Sequence, residues 1–309
     1  MNNSKIKFFS NIEWKKTLII FIILLEVRFL FFKNKKDIKV ALCTMGKQEN
    51  LYISEFIQYY IKLGIDHIFL YDDNDPGTEK FSDITDKKYK KYVTIKEAKT
   101  NKIVNQSVAF SDCYKKNINK FDWFLMVDMD EFLFIVNNTL KSYLNDKIFD
   151  KCDFIKFHWV IPSDNGNIYY DSRSLFERFK PPYVKSIFIK SIIRGNISDL
   201  KYWVHSPFIS PLRNVTCNNE GKIIYYKYMN FESIGHININ KAYIIHFKYK
   251  STEEFVNKIK RGYSNWHNDK LKKVFQENIN FYLNHNNATL EKINYIEKKL
   301  NINLSNYYK

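Results

Sequence analysis

The chain has 309 residues, 45% hydrophobic and 17% aromatic, which is enough apolar material for a full core and rules out a disordered tail. Lys and Arg number 49 against 33 Asp and Glu, a formal charge of +16, which favours anionic partners such as acidic headgroups or phosphorylated small molecules. The lysines are spread along the chain instead of forming one basic block, so nucleic acid is not an expected partner.

Residues 1–37 read as a basic stretch followed by a membrane anchor. The apolar run is Thr17 to Phe32, interrupted by Glu26 and Arg28 and flanked by Lys15-Lys16 and Lys33, Lys35 and Lys36. As a helix it would extend about 24 Å, slightly short of the ~30 Å hydrocarbon core. No small-residue cleavage site follows, so an uncleaved single-pass anchor is expected over a removable leader. Basic residues on both sides leave its orientation undetermined.

From Ile38 the pattern alternates between strand and helix. Ile38 to Cys43 reads as a strand; Leu51 to Leu63 reads as a helix with Ile53, Phe56, Ile57 and Tyr60 on one face and Gly64 as its stop. His67 to Tyr71 and Val93 to Ile95 are the next strands, a helix spans Asn105 to about Asn117, and a strand from Trp123 to Val127 ends on Asp128. This β-α-β-α order predicts an α/β fold, a mainly parallel sheet flanked by helices, with ligands at the carboxyl ends of the strands. Beyond Lys151 the pattern gives short strands and Pro-containing loops, then a helix-rich, Lys-rich tail from Thr252. The reading is one large domain over 38–262 and a C-terminal helical extension over 263–309.

The sharpest signal is Trp123-Phe124-Leu125-Met126-Val127-Asp128-Met129-Asp130-Glu131-Phe132, an apolar strand that abruptly presents three carboxylates. Such a cluster is costly unless cations neutralise it. A hard divalent ion, Mn²⁺ or Mg²⁺, bridging carboxylate and diphosphate oxygens is the simplest compensation, and it would also stabilise a departing nucleoside diphosphate. Four cysteines, Cys43, Cys113, Cys152 and Cys217, are too widely spaced for a zinc knuckle or a small stapled scaffold and leave the redox compartment open. Asn-x-Ser/Thr sequons at Asn105, Asn137, Asn196, Asn214, Asn287 and Asn303 are compatible with a lumenal domain, but a chain this rich in Asn produces them by chance.

Several pieces, in order and at matching spacing, carry a resemblance to a known family. They are Gly46-Lys47-Gln48-Glu49-Asn50 with Glu55 to Tyr60; Tyr71-Asp72-Asp73-Asn74; Gln106; Trp123 to Phe132; Trp159 with Glu177-Arg178-Phe179; Val184 to Ile187; and His246 followed by Lys250-Ser251, Glu254-Phe255, Lys258 and Arg261-Gly262. From about Val40 to Gly262 the sequence resembles glycosyltransferase family 92 and related family 2-like enzymes of the GT-A fold. The resemblance implies inverting transfer of a hexose from a nucleotide sugar, a UDP-sugar such as UDP-galactose, to a glycan or glycoconjugate. It implies that Asp128 touches ribose or the metal, that Asp130 holds the metal, and that His246 completes the metal site. Glu49 and Asp72 then fall where related enzymes hold uracil and ribose, and a lumenal, secretory-pathway location follows for a eukaryotic source.

Lys185, Arg261 and Lys258 are candidates to answer diphosphate charge, as point cations or a bidentate fork. Trp159 is a candidate to stack on a sugar. Inverting transfer needs a carboxylate to deprotonate the acceptor; Glu177 is the first candidate and Asp164 the second. The sequence departs from the family at Asp73, where Asn is usual, at Phe247, where Tyr is common, and in lacking a Phe-Gly pair between Trp159 and Glu177. The last departure bears on acceptor choice. Two alternatives stay open: a silent glycan- or nucleotide-binding relative, and a metal-dependent phosphoryl transferase or hydrolase. The latter lacks any Gly-rich phosphate cradle.

Overall fold

The computed structural model describes residues 37–103, 105–200, 202–207, 214–224, 237–261 and 268–304. The expected anchor at 17–32 lies outside these residues, as does Gly262 at the expected domain boundary. Among the described residues no helix is long and apolar enough to cross a membrane.

The alternation read from the sequence is present. Strand β1 (Val40–Gly46) leads through a 3-10 turn (Asn50–Tyr52) into helix α1 (Ile53–Leu63) and strand β2 (His67–Asp72). Helix α2 (Phe81–Ile84), strand β3 (Val93–Glu97), helix α3 (Gln106–Asn117) and strand β4 (Trp123–Met126) follow. In α1, Ile53, Phe56, Ile57 and Tyr60 form the buried face, and Gly64 ends it in the left-handed region at φ 108° with its N–H returned to the last turn. Asn105 caps α3, its side chain accepting from the Val108 N–H. β1 starts two residues later than expected and runs on to Gly46. Its first N–H is taken by Asp66 (2.8 Å), and its far end stays paired with Asp72.

The second half contains β5 (Glu131–Ile135), α4 (Leu140–Leu144), β6 (Phe154–Ile161), α5 (Leu175–Arg178), β7 (Val184–Arg194), β8 (Thr216–Asn218) and β9 (Ala242–His246). Helices α6 (Thr252–Arg261), α7 (Asn268–His285) and α8 (Leu290–Leu300) complete the described chain. The strands form one sheet in the order β3-β2-β1-β4-β7-β6-β9-β5, with β8 beside β6. β3, β2, β1 and β4 are mutually parallel, as are β6 with β8 and β9; β7 runs against both its neighbours, and β5 runs against β9. The result is a mixed, mostly parallel α/β sheet with helices packed on it.

Where short strands were expected past Lys151, β6 and β7 are long, eight and eleven residues. Buried Lys156, His158, Lys190 and Ser191 interrupt their apolar runs, which makes one long strand read as fragments. One core cluster packs α3 (Ala109, Phe110, Cys113, Tyr114) on β1, β2 and β4, with a disulfide joining Cys43 to Cys113. A second disulfide, Cys152 to Cys217, ties the start of β6 to β8. Ile279, Tyr282, Ile293 and Ile296 share a core cluster with Phe255, Val256 and Ile259 of α6.

Candidate active site

The carboxyl ends of β1 and β4 lie side by side, because Val40–Cys43 pair with Trp123–Met126. The Val127 N–H continues this pairing onto the Cys43 carbonyl (3.3 Å). A Cβ on Gly46 would meet the Met129 sulfur, so the end of β1 packs directly against the acidic turn and a larger residue there would displace the Met129 side chain. The turn closes into β5 through the Glu131 N–H on the Asp128 carbonyl (3.1 Å) and the Phe247 N–H on the Asp130 carbonyl (2.8 Å). From α1, the buried Tyr60 hydroxyl donates to the Glu131 carbonyl (2.8 Å) and accepts from the Leu133 N–H (3.1 Å). An apolar helix face thereby positions the carboxylates.

A cavity of about 260 Å³ opens at this point, lined by Met45, Gly46 and Lys47 at the end of β1, Asp73 and Gln106, the turn Asp128-Met129-Asp130, and His246, Lys248, Lys258 and Arg261 with Glu49. Asp130 and His246 converge in it: Nε2 of His246 is 3.4 Å from an Asp130 oxygen, while the other Asp130 oxygen accepts from Lys258 Nζ at 2.8 Å. Burial alone would raise the Asp130 carboxyl, but the Lys258 and His246 charges overrule it and hold it well below the usual carboxylate range. Burial pushes the His246 imidazole down, towards its neutral form. Its Nδ1 has no hydrogen-bond partner among the described residues, and nor does the nearby Glu131 Oε1. Trp159 meets the His246 ring edge to face, with centroids 4.4 Å apart, and its own buried indole N–H is likewise without a partner among them.

Asp128 is held differently. One of its oxygens accepts from Lys190 Nζ (2.7 Å) and from the Gln106 amide, and its own N–H donates to Glu131. Lys190 lies within 3.5 Å of Glu131 as well. Burial, with the Asp128 charge beside it, pushes the Glu131 carboxyl well above the usual range. Among the described residues no three His, Cys, Asp or Glu side chains converge closely enough to hold a metal ion.

The remaining sequence candidates fall in distinct places. Arg261 and Glu49 are on the cavity wall but engaged with each other at 3.1 Å, and Glu49 also takes Lys250 at 2.6 Å. The two cations hold the Glu49 carboxyl below its usual range although burial works the other way. Asp72 is off the wall: its two oxygens accept the Asn74 and Phe81 N–H groups at 2.9 and 2.7 Å, and it is Asp73 that lines the cavity. Lys185 is exposed near the start of β7, and Lys190 of the same strand is the residue that reaches Asp128. Glu177 closes a capping box on Ser174 at the first turn of α5 and faces solvent. Asp164 is buried, with Lys292 Nζ and the Tyr282 hydroxyl each at 2.8 Å. Neither candidate base touches the cavity.

The sequence reading gave no role to Lys190, Lys248 or Lys250. For Lys190 a signal existed, a lysine inside the apolar run Ile187-Phe188-Ile189-Lys190-Ser191-Ile192-Ile193, since a charge placed there needs a buried partner. Backbone strain lies beside the Glu49 cluster: Gln48 and Lys250, the latter paired with Glu49, both adopt the left-handed region, at φ 55° and 58°.

No curated protein matches the chain. Among solved structures, 4-diphosphocytidyl-2C-methyl-D-erythritol synthase from Anaerococcus prevotii DSM 20548 is similar at 15% identity and a TM-score of 0.29, over 51% of this chain and 70% of that one. So loose a likeness supports nothing about this site. Glycosyltransferase family 92 matches residues 36–303, a span that takes in the acidic turn, the cavity wall and the helices past residue 262, and the chain belongs to that family.

Proposed function

We propose that this family 92 member moves a hexose from a nucleotide sugar, a UDP-sugar such as UDP-galactose being the first candidate, to a glycan or glycoconjugate. Transfer is inverting and takes place on a GT-A-like domain. The observation that carries this reading is the cavity at the carboxyl ends of β1 and β4, where Asp130 and His246 converge beside Lys258, Lys248 and Arg261. A nucleoside diphosphate needs such a place, with acidic groups for a cation and basic groups for phosphate oxygens.

In this reading Asp130 and His246, which approach to 3.4 Å, are the residues that would hold a divalent ion such as Mn²⁺, with Asp128 on the same cavity wall. When bound, the ion supplies positive charge to the departing diphosphate.

The chain's own residues do the rest. Lys258 and Arg261 face the diphosphate oxygens, Met45 to Lys47 and Asp73 line the nucleoside end, and the Trp159 ring fixes the plane of His246. Glu131 braces the turn through the Asp128 N–H. Asp72, Lys185, Glu177 and Asp164 take no part in this reading, because each is exposed off the cavity or spent on structural hydrogen bonds. The test is nucleoside-diphosphate release by the full chain across UDP- and GDP-sugars with Mn²⁺, beside Asp130→Ala. Release that needs metal and disappears in the variant is the expected result; neither release nor donor binding by calorimetry would overturn it.

The reading extends to an oxidising compartment, the secretory lumen if the source is eukaryotic. Two disulfides joining cysteines 70 and 65 residues apart support it, since such bonds persist where thiols are not kept reduced. Intact-mass measurement of the protein from its native compartment, with and without reductant after alkylation, tests this; four alkylated thiols without reductant would contradict it.

A further inference from the structure

A second cavity, of about 490 Å³, shares Glu49, Lys248, Lys258 and Arg261 with the first. The two differ in charge. The smaller is balanced, with Lys47, Lys248, Lys258 and Arg261 against Glu49, Asp73, Asp128 and Asp130. The larger has Lys248, Lys250, Lys258, Lys260 and Arg261 against only Glu49 and Glu254, an excess of three positive charges. Both of those carboxylates are committed: Glu49 to Lys250 and Arg261, and Glu254 to Arg178, Tyr52 and the Ser251 hydroxyl. Lys258 reaches Asp130 on the other side of the wall. Lys248 and Lys260 make no ion pair among the described residues.

We propose that the larger cavity seats the acceptor, and that this acceptor carries an anionic group, a phosphate, sulfate or carboxylate, met by Lys248 and Lys260. The inference rests on the transferase reading and narrows its substrate class. A net positive cavity is a poor seat for a neutral glycan and a good one for a glycan bearing a charge. The rest of the lining suits a sugar: Gln48 and Asn257 can bond hydroxyls, while Leu51, Tyr52 and Tyr249 supply apolar surface for a ring. The volume lies in the range of small-ligand sites. Sharing a wall with the donor cavity, the seat brings an acceptor hydroxyl beside the reaction centre without crossing bulk solvent.

The test uses the full chain saturated with UDP and Mn²⁺, titrated calorimetrically with glucose 6-phosphate, glucose 6-sulfate and, as neutral control, glucose; sedimentation with phosphatidic acid vesicles forms a further arm. Lys260 is exposed on α6, so Lys260→Glu should fold. The expected result is that the charged sugars bind with UDP in place, glucose does not, and Lys260→Glu weakens binding by about tenfold or more while UDP affinity stays within about twofold. Vesicle binding without phosphosugar binding, equally sensitive to Lys260→Glu, would support the site and identify the anion as a lipid headgroup. Binding of the charged sugars only when UDP is left out would assign the cavity to the donor and overturn the proposal, as would equal binding of glucose or indifference to Lys260→Glu. Failure of both UDP and GDP to bind would instead remove the transferase reading, and the acceptor role with it.

Discussion

Asp164→Asn separates a structural carboxylate from a catalytic one. The Asp164 and Lys292 side chains are 1% and 3% exposed, with Nζ 2.8 Å from the carboxylate. Asp164 also accepts from the Tyr282 hydroxyl and the Gly166 N–H, and Lys292 donates further to the Asn286 carbonyl at 2.6 Å. These contacts bind the loop after β6 to α7 and α8. Removing the charge from one partner leaves the other buried and uncompensated, a loss of about 3–5 kcal/mol. The Asn carbonyl can still accept from Tyr282, which favours the lower end. At about 2–4 °C per kcal/mol, a 3 kcal/mol loss lowers the midpoint by roughly 6–12 °C. The assay is thermal unfolding of the full chain by Trp fluorescence, run beside metal-dependent donor hydrolysis at a temperature where the variant is folded. Pairing the change with Lys292→Met should recover much of the stability, since apolar side chains of similar volume replace buried ion pairs with little loss. Abolished turnover with an unshifted unfolding midpoint would refute the reasoning and return Asp164 to the list of bases.

Glu177→Gln keeps the capping box on Ser174 and should leave kcat for transfer within about twofold; a drop of several orders of magnitude, with unchanged donor KM, would make Glu177 the acceptor base after all. Gly46→Ala drives a methyl into the Met129 side chain and should weaken UDP binding measured by calorimetry, because Met129 lines the cavity and its side chain must shift; wild-type affinity would show that it yields freely. Replacing Cys152 and Cys217 by Ser removes a cross-link across 65 residues, worth about 4 kcal/mol in the chain-entropy account, and should lower the urea midpoint accordingly. Chelation with EDTA should abolish donor hydrolysis and Mn²⁺ restore it; full activity after exhaustive chelation would remove the ion from the mechanism and leave Lys258 and Arg261 to answer the diphosphate alone.

What the sequence disclosed and what it hid divide along a physical line. The first half of the fold was legible because β1, β2 and β4 are buried on both faces and read as short apolar runs, while α1 shows its face at helical spacing and stops at a glycine that must be left-handed. The acidic turn was legible for the opposite reason, as three carboxylates at the end of such a strand stand out against its apolarity. What stayed hidden depends on partners far apart in the chain. Asp164 and Lys292 are 128 residues apart, Glu49 and Lys250 are 201 apart, and Asp128 meets Lys190 across 62. A lone lysine in sequence looks like a solvated surface charge, and only folding reveals which carboxylate it answers. The same ambiguity made Lys185 look like a site cation when it is exposed and Lys190 of the same strand is the lysine that reaches Asp128, and made Asp72 look like a ligand group when its oxygens are consumed by the turn it builds. Acidic residues that fold a loop and acidic residues that bind a substrate share one composition; they differ in whether their oxygens are already spent, and that is a property of the folded chain.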